Sequence, residues 1–191
     1  MNLFKLQEKI KSKKIIMVTL VVVVACTIYL LKLENAISGN NDAYSYFKMQ
    51  LAFSSKSFFV IMKNWGADGV NLYLSYIWID FIYAIAYSTL LAAAILYFKK
   101  MLYMYAPERK PDTPVVDKIA FLPFIAAIFD MTENIIHIMI LKFNYANIIL
   151  ASSIVSLIKW IFLSISLLYF LYVFFSFRRL MREAIIKSKN P

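Results

Sequence analysis

Four apolar stretches, at about residues 15–31, 70–98, 119–141 and 148–175, constrain this chain more than any other feature. Each approaches or exceeds the length a helix needs to cross the hydrocarbon layer of a membrane, roughly 17–25 residues. Backbone amides in that layer must be satisfied within the segment itself, so each stretch is expected to be helical. Composition agrees. Of the 191 residues, 62% are hydrophobic and 17% aromatic, and only 3 glycines and 5 prolines interrupt them. That is too apolar for an ordinary soluble domain. The expected fold is all-α: a polytopic integral membrane protein, with a four-helix transmembrane bundle and an amphipathic outer-loop helix. Residues 1–191 form one transmembrane domain, since the spans leave no room for a second soluble one.

The net charge of +10 does not indicate nucleic acid, because of where the charge sits. Of 21 lysines and arginines, 15 fall in the N-terminal tail, the loop from Lys99 to Lys118 and the tail from Arg178 onward. These regions alternate with two less basic ones, the positive-inside pattern of a four-span protein with both termini cytoplasmic. No interleaved aromatic and basic nucleic-acid motif is present. Membrane lipids are the expected partners of the basic ends. Cys26 is the only cysteine, which excludes an intramolecular disulfide and a thiolate metal cluster.

Ala36-Ile37-Ser38 offers small residues at the spacing of a signal-peptide cleavage site. The apolar run before it is longer than the usual 7–15 residues or so, and Lys32 and Glu34 intervene, so an uncleaved first span is expected. In the outer segment 32–69, Tyr44, Phe47, Leu51, Phe58 and Met62 recur at near-helical spacing. They suggest a helix lying on the membrane surface or, alternatively, a cap over the bundle mouth. Trp65 to Gly69 reads as a turn. Thr113-Pro114 reads as an N-cap before the third span, and Pro123 is expected to kink that span on its polar face.

The third span carries the most informative residues, Asp130-Met-Thr-Glu133-Asn134-Ile-Ile-His137. At about 100° per residue, Asp130, Glu133, Asn134 and His137 share one helix face with Pro123, Ala126 and Ala127. Ionisable groups at membrane depth cost about 2.5–3.5 kcal/mol each on insertion scales, so they face a bundle interior and usually serve a purpose. On the second span, Tyr73, Tyr76, Asp80, Tyr83, Ala84 and Tyr87 form one stripe. Ser152, Ser156, Lys159 and Ser166 form another on the fourth. Measured from the outer boundary, Asp80 lies about 10 Å deep, Glu133 about 12 Å, Asp130 about 16 Å and Lys159 about 18 Å. Three polar faces therefore converge at similar heights.

An ion pair between Lys159 and Asp130 is expected, leaving Asp80 and Glu133 to face each other. Three carboxylates set against one lysine cannot all stay ionised cheaply, so one is expected to hold a proton. The ligand-binding candidates are Asp80, Tyr83, Tyr87, Asp130, Glu133, Asn134, His137, Ser156 and Lys159. Asp80 and Glu133 are also the candidate acid and base. A metal held by Asp80, Glu133 and His137 is the sharper alternative, but a single histidine in the chain argues against a di-iron type of site. Polar glue between helices, with no chemistry, is the bland one. No serine stands in a recognisable nucleophile context, no glycine-rich phosphate loop is present, and no cofactor is specified.

Trp65, Gly66 and Gly69, then Tyr73, Asp80, Tyr83 and Tyr87, then Asp130-x-x-Glu133-Asn134, then Lys159-Trp160, resemble a group of uncharacterised bacterial four-transmembrane-helix proteins. The resemblance spans roughly residues 40–175 and implies a fold and candidate residues, but no reaction; the expected location is a bacterial inner membrane. A looser likeness links the chain to the emopamil-binding family, without motifs that match residue by residue. The leading expectation is a polar intramembrane pocket that binds or handles a small lipid-derived or cationic ligand, hydrophobic in part, with coupling to protonation. The alternatives are an intramembrane acid/base enzyme acting on a lipid or isoprenoid, and a structural subunit of a membrane complex.

Overall fold

The computed structural model describes residues 12–39, 41–107 and 118–189. In chain order the helices are α1 (Lys13–Ser38), the short α2 (Tyr46–Gln50), α3 (Ser55–Tyr105), α4 (Leu122–Phe143) and α5 (Ile149–Lys189), and no strand occurs among the described residues. All but α2 are long and apolar enough to cross a membrane. α3 is the hub of the bundle. It packs against α1, α4 and α5, while α4 also packs along α5. α1 makes no comparable contact with α4 or α5. Residues 41–54 and 144–148 lie at one end of the bundle, called here the capped end. The other end carries Lys13, Lys14, Lys99, Lys100, Lys118, Arg178 and Arg179 and is called the basic end. The Thr113-Pro114 cap, Arg109, Lys110 and Lys5, Lys9 and Lys11 of the N-terminal tail lie outside the described residues.

Local chemistry sets the helix limits. Ser12 caps α1 by accepting from the Ile15 amide, and the helix stops at Gly39, whose φ of 61° suits glycine. α1 therefore runs past the apolar stretch and takes in Lys32 and Glu34. α4 begins at Leu122 with Pro123 in its first turn and ends on Asn144, a left-handed residue with φ of 60°. Lys118 and Ile119 are also helical and Ala120 and Phe121 form a turn, so the interruption falls just before Pro123 and not as a kink inside one continuous helix. A proline in the first turn removes an amide that has no helical partner anyway, so it starts the helix and does not bend it.

The outer segment differs from one continuous helix. Ser45 and Ser54 each cap a helix of their own, so Asp42–Tyr44, α2 and the start of α3 are separate elements. Between them Phe53 has φ of 48°, and its amide donates to Ser153 Oγ of α5 at 3.1 Å, pinning the loop to the bundle. The first turns of α3 bury Phe58, Ile61, Met62 and Trp65 against protein, and Trp65 Nε1 donates to the Tyr44 carbonyl at 2.7 Å. This is an amphipathic helix used as a cap.

Trp65 to Gly69 is likewise a bend within α3 and not a turn ahead of it. Only Gly66 leaves helical geometry, with φ of 66° and ψ of −176°, a region essentially reserved for glycine. A Cβ there would meet nothing within 4 Å, so the cost of adding one is torsional. Gly66→Ala is expected to cost about 1–3 kcal/mol, read as a lower thermal midpoint in detergent. An unchanged midpoint would show that the bend carries no strain against a side chain.

Candidate functional site

The polar stripes of α3, α4 and α5 all turn inward. Glu133, Asn134, His137, Ser156 and Ser166 are fully inaccessible, and Asp80, Asp130 and Lys159 are about 95% buried, with exposures of 5%, 5% and 4%. Ile128, Ile135 and Met139, on the opposite side of α4, are exposed, as an apolar outer face requires.

Lys159 is the centre of the cluster. Its Nζ donates to Asp130 Oδ1 at 3.0 Å and lies 2.7 Å from Glu133 Oε2, an ion pair without hydrogen-bond alignment. The pairing of Lys159 with Asp130 thus has company. Asp130 and Glu133 stand three residues apart on α4, close enough for one ammonium from α5 to reach both. Tyr87 donates its hydroxyl to the second Asp130 oxygen at 3.0 Å. Asp80 faces neither Lys159 nor Glu133 in a direct contact. It accepts from Asn134 Nδ2 at 3.0 Å, its one hydrogen bond among the described residues. The expected Asp80–Glu133 pair is therefore replaced by two arrangements, Glu133 with Lys159 and Asp80 with Asn134.

His137 ties three helices together. Its Nδ1 lies 2.7 Å from the Tyr73 hydroxyl of α3 and its Nε2 lies 2.7 Å from Ser152 Oγ of α5. A neutral imidazole satisfies both, donating at one nitrogen and accepting at the other. Glu133 Oε1 is 4.0 Å from Nδ1 and has no hydrogen-bond partner among the described residues. Ser156 turns its hydroxyl to the Ser152 carbonyl at 3.0 Å. Asp80, Glu133 and His137 do not form one donor set, and no group of three such residues among those described is placed to hold a metal.

Beside the cluster lies a cavity of about 730 Å³ with walls from α1, α3 and α5. It divides the candidate residues into two layers. Asp80, Tyr83, Tyr87, Asp130 and Lys159 line it, whereas Glu133, Asn134, His137 and Ser156 stand behind them. Reasoning from sequence did not include Tyr46, Gln50, Tyr76 or Trp160 in the site, yet all four line the same space. Tyr46 and Gln50 come from α2, whose place at the bundle mouth agrees with the cap that the spacing of Tyr44, Phe47 and Leu51 offered as an alternative. The Tyr46 and Tyr76 rings lie 4.8 Å apart, and the Tyr46 amide donates to Glu34 Oε1 of α1 at 3.1 Å, closing the capped end. Burial, reinforced by the Glu133 carboxylate, pushes the Tyr46 phenol well above its ordinary range, so it is present as a neutral hydroxyl.

Chemically, the cavity offers a carboxyl group with one oxygen unpaired among the described residues, a lysine-compensated carboxylate and several aromatic faces, flanked by apolar walls. Such a set suits cations and hydrogen-bond donors. Fold and site together define a helical, multi-pass membrane protein with a buried polar cluster in its bundle. No protein-family model, curated protein or solved structure matches the chain.

Proposed function

We propose that the protein binds a small lipid-derived or cationic ligand in this cavity, with binding coupled to release of a proton. The observation that carries the reading is the division into layers. Lys159 compensates Asp130 and Glu133, while Asp80 reaches the cavity with only the neutral amide of Asn134 as its partner. With three carboxyl groups set against one lysine, Asp80 is the one that holds a proton while the cavity is empty, and it yields that proton to water as an arriving ammonium pairs with it. Tyr76, Tyr83, Tyr87 and Trp160 supply aromatic faces to the same cation. Glu133 is held behind Lys159 and does not line the cavity, so the geometry gives an Asp80–Glu133 acid/base pair no common access to a substrate.

Phenethylamine is a suitable probe, being a short amine without a long chain. Asp80→Asn is expected to weaken its binding about 10- to 100-fold, the range of a lost charge-assisted hydrogen bond. The bundle should stay folded, because the amide matches the protonated acid in size and, like it, is cheaper to bury than a charge. Calorimetry in buffers of different ionisation enthalpy should show a proton leaving as the amine binds. Equal affinity of wild type and Asp80→Asn, or no binding by wild type, would leave the cluster as helix packing.

We further propose that both termini are cytoplasmic, on the basis of the lysine and arginine distribution, and that the membrane is a bacterial inner membrane, on the resemblance to bacterial four-span proteins. An impermeant thiol reagent applied from outside should label a cysteine placed at Ser55 and spare one placed at Thr113. The reverse pattern would invert the topology.

A further inference from the structure

We infer that the occupant of this cavity is a long-chain amphiphile whose head combines a cation with a hydrogen-bond acceptor, its chain lying lengthwise towards the basic end. This rests on the reading that the cavity takes a cationic head, and adds the rest of the molecule to it. The first observation is Gln50. It is 1% exposed, lines the cavity, and accepts from Trp160 Nε1 at 3.4 Å through its own Oε1. Its Nε2 is buried and donates to nothing among the described residues. A buried donor left unmade is costly, so a small turn of the Gln50 side chain that brings Nε2 to an acceptor oxygen in the cavity is favoured when the occupant supplies one. Asp80 needs a donor or cation and Gln50 needs an acceptor. An amine with a neighbouring hydroxyl or carbonyl oxygen carries both groups in one head.

The second observation is the shape of the space below the polar level. From Lys159 to Phe170 on α5, and from Tyr83 to Ala94 on α3, each wall runs eleven residues, or about 16 Å at the helical rise. Past Lys159, Tyr83 and Tyr87 at its head, the side chains lining this length are apolar, among them Leu20, Leu91, Ala94, Leu163 and Leu167. An extended alkyl chain rises roughly 1.3 Å per carbon, given C–C bonds of about 1.5 Å, so the slot takes about a dozen carbons. The cavity volume of about 730 Å³ falls among pockets that hold molecules of this size, roughly 300–1,000 Å³. The third observation is access. α1 packs on α3 and has no comparable contact with α5, so the flank between α1 and α5 admits a chain sideways from the membrane. Lipid tails are as apolar as the slot, so the chain contributes placement and the head contributes selection.

The test uses the full chain in detergent and three probes: phenethylamine, dodecylamine and 2-aminododecanol. Wild type should bind the amino alcohol about five- to tenfold more tightly than dodecylamine, the gain of one satisfied buried donor. Gln50→Leu should erase that preference while keeping both amines bound. Ala94→Phe, and Leu167→Trp from the facing wall, should weaken dodecylamine at least tenfold and leave phenethylamine within about twofold. Equal binding of the two dodecyl probes by wild type, or a preference that survives in Gln50→Leu, overturns the assignment of the head. Slot variants that bind dodecylamine like wild type, or that lose phenethylamine as well, overturn the assignment of the chain. Failure of wild type to bind any of the amines would instead overturn the cationic-site reading itself.

Discussion

Lys159→Met is expected to destabilise the folded bundle by about 3–5 kcal/mol, the largest effect of any single change considered. The residue is 4% exposed, and its ammonium stands within 3.0 Å of Asp130 and 2.7 Å of Glu133. Removing it leaves two carboxylates buried without a counter-charge, the costly half of a broken ion pair. Because the lysine serves both, neutralising one partner cannot restore the balance. Lys159→Met with Asp130→Asn should recover part of the loss, and adding Glu133→Gln should recover most of it. Methionine and the two amides form an approximately isosteric, uncharged replacement, which in buried triads is often neutral. The measurement is unfolding of each variant in mixed micelles. The coupling energy between position 159 and each carboxylate position follows from the double-mutant cycles. Losses that simply add would mean that Lys159 does not hold Asp130 and Glu133 as drawn.

The helix faces behind this prediction were legible in the sequence, because an apolar span can hide polar side chains in only one direction. Asp130, Glu133, Asn134 and His137 fall on one side of α4 at helical spacing, and all four are buried. Tyr73 and Asp80 of α3 and Ser152, Ser156 and Lys159 of α5 follow the same rule. Periodicity does not carry pairings. Which of two carboxylates one turn apart a lysine reaches depends on side-chain rotamers from a different helix, and here it reaches both. Pro123 shows a related limit. The apolar run spans both the helical residues Lys118 and Ile119 and the turn at Ala120 and Phe121, and only that turn decides that the proline begins α4 and does not kink it midway. Gln50 lay hidden because the apolar period of the outer segment runs through Tyr44, Phe47 and Leu51 and does not mark a polar residue beside them as buried. Its burial follows from α2 folding over the bundle mouth, beneath the caps of Ser45 and Ser54.

His137→Leu is expected to cost about 2–4 kcal/mol of stability while leaving the affinity for phenethylamine within about twofold. The imidazole is fully buried and does not line the cavity, so its role is to join Tyr73 and Ser152 across three helices. Leucine keeps the volume roughly but strands two buried hydroxyls, each worth about 1–3 kcal/mol when unpaired. Removing those hydroxyls as well, with Tyr73→Phe and Ser152→Ala, should restore much of the loss, since a polar contact deleted from both sides can be nearly neutral. The same background should retain Asp80 against the cavity, because Asn134, and not His137, is its partner. Stability and binding therefore separate at this residue: the midpoint of unfolding moves and the amine titration does not. If His137→Leu abolishes amine binding at unchanged stability, the imidazole reaches the ligand and the division of the cluster into two layers is wrong.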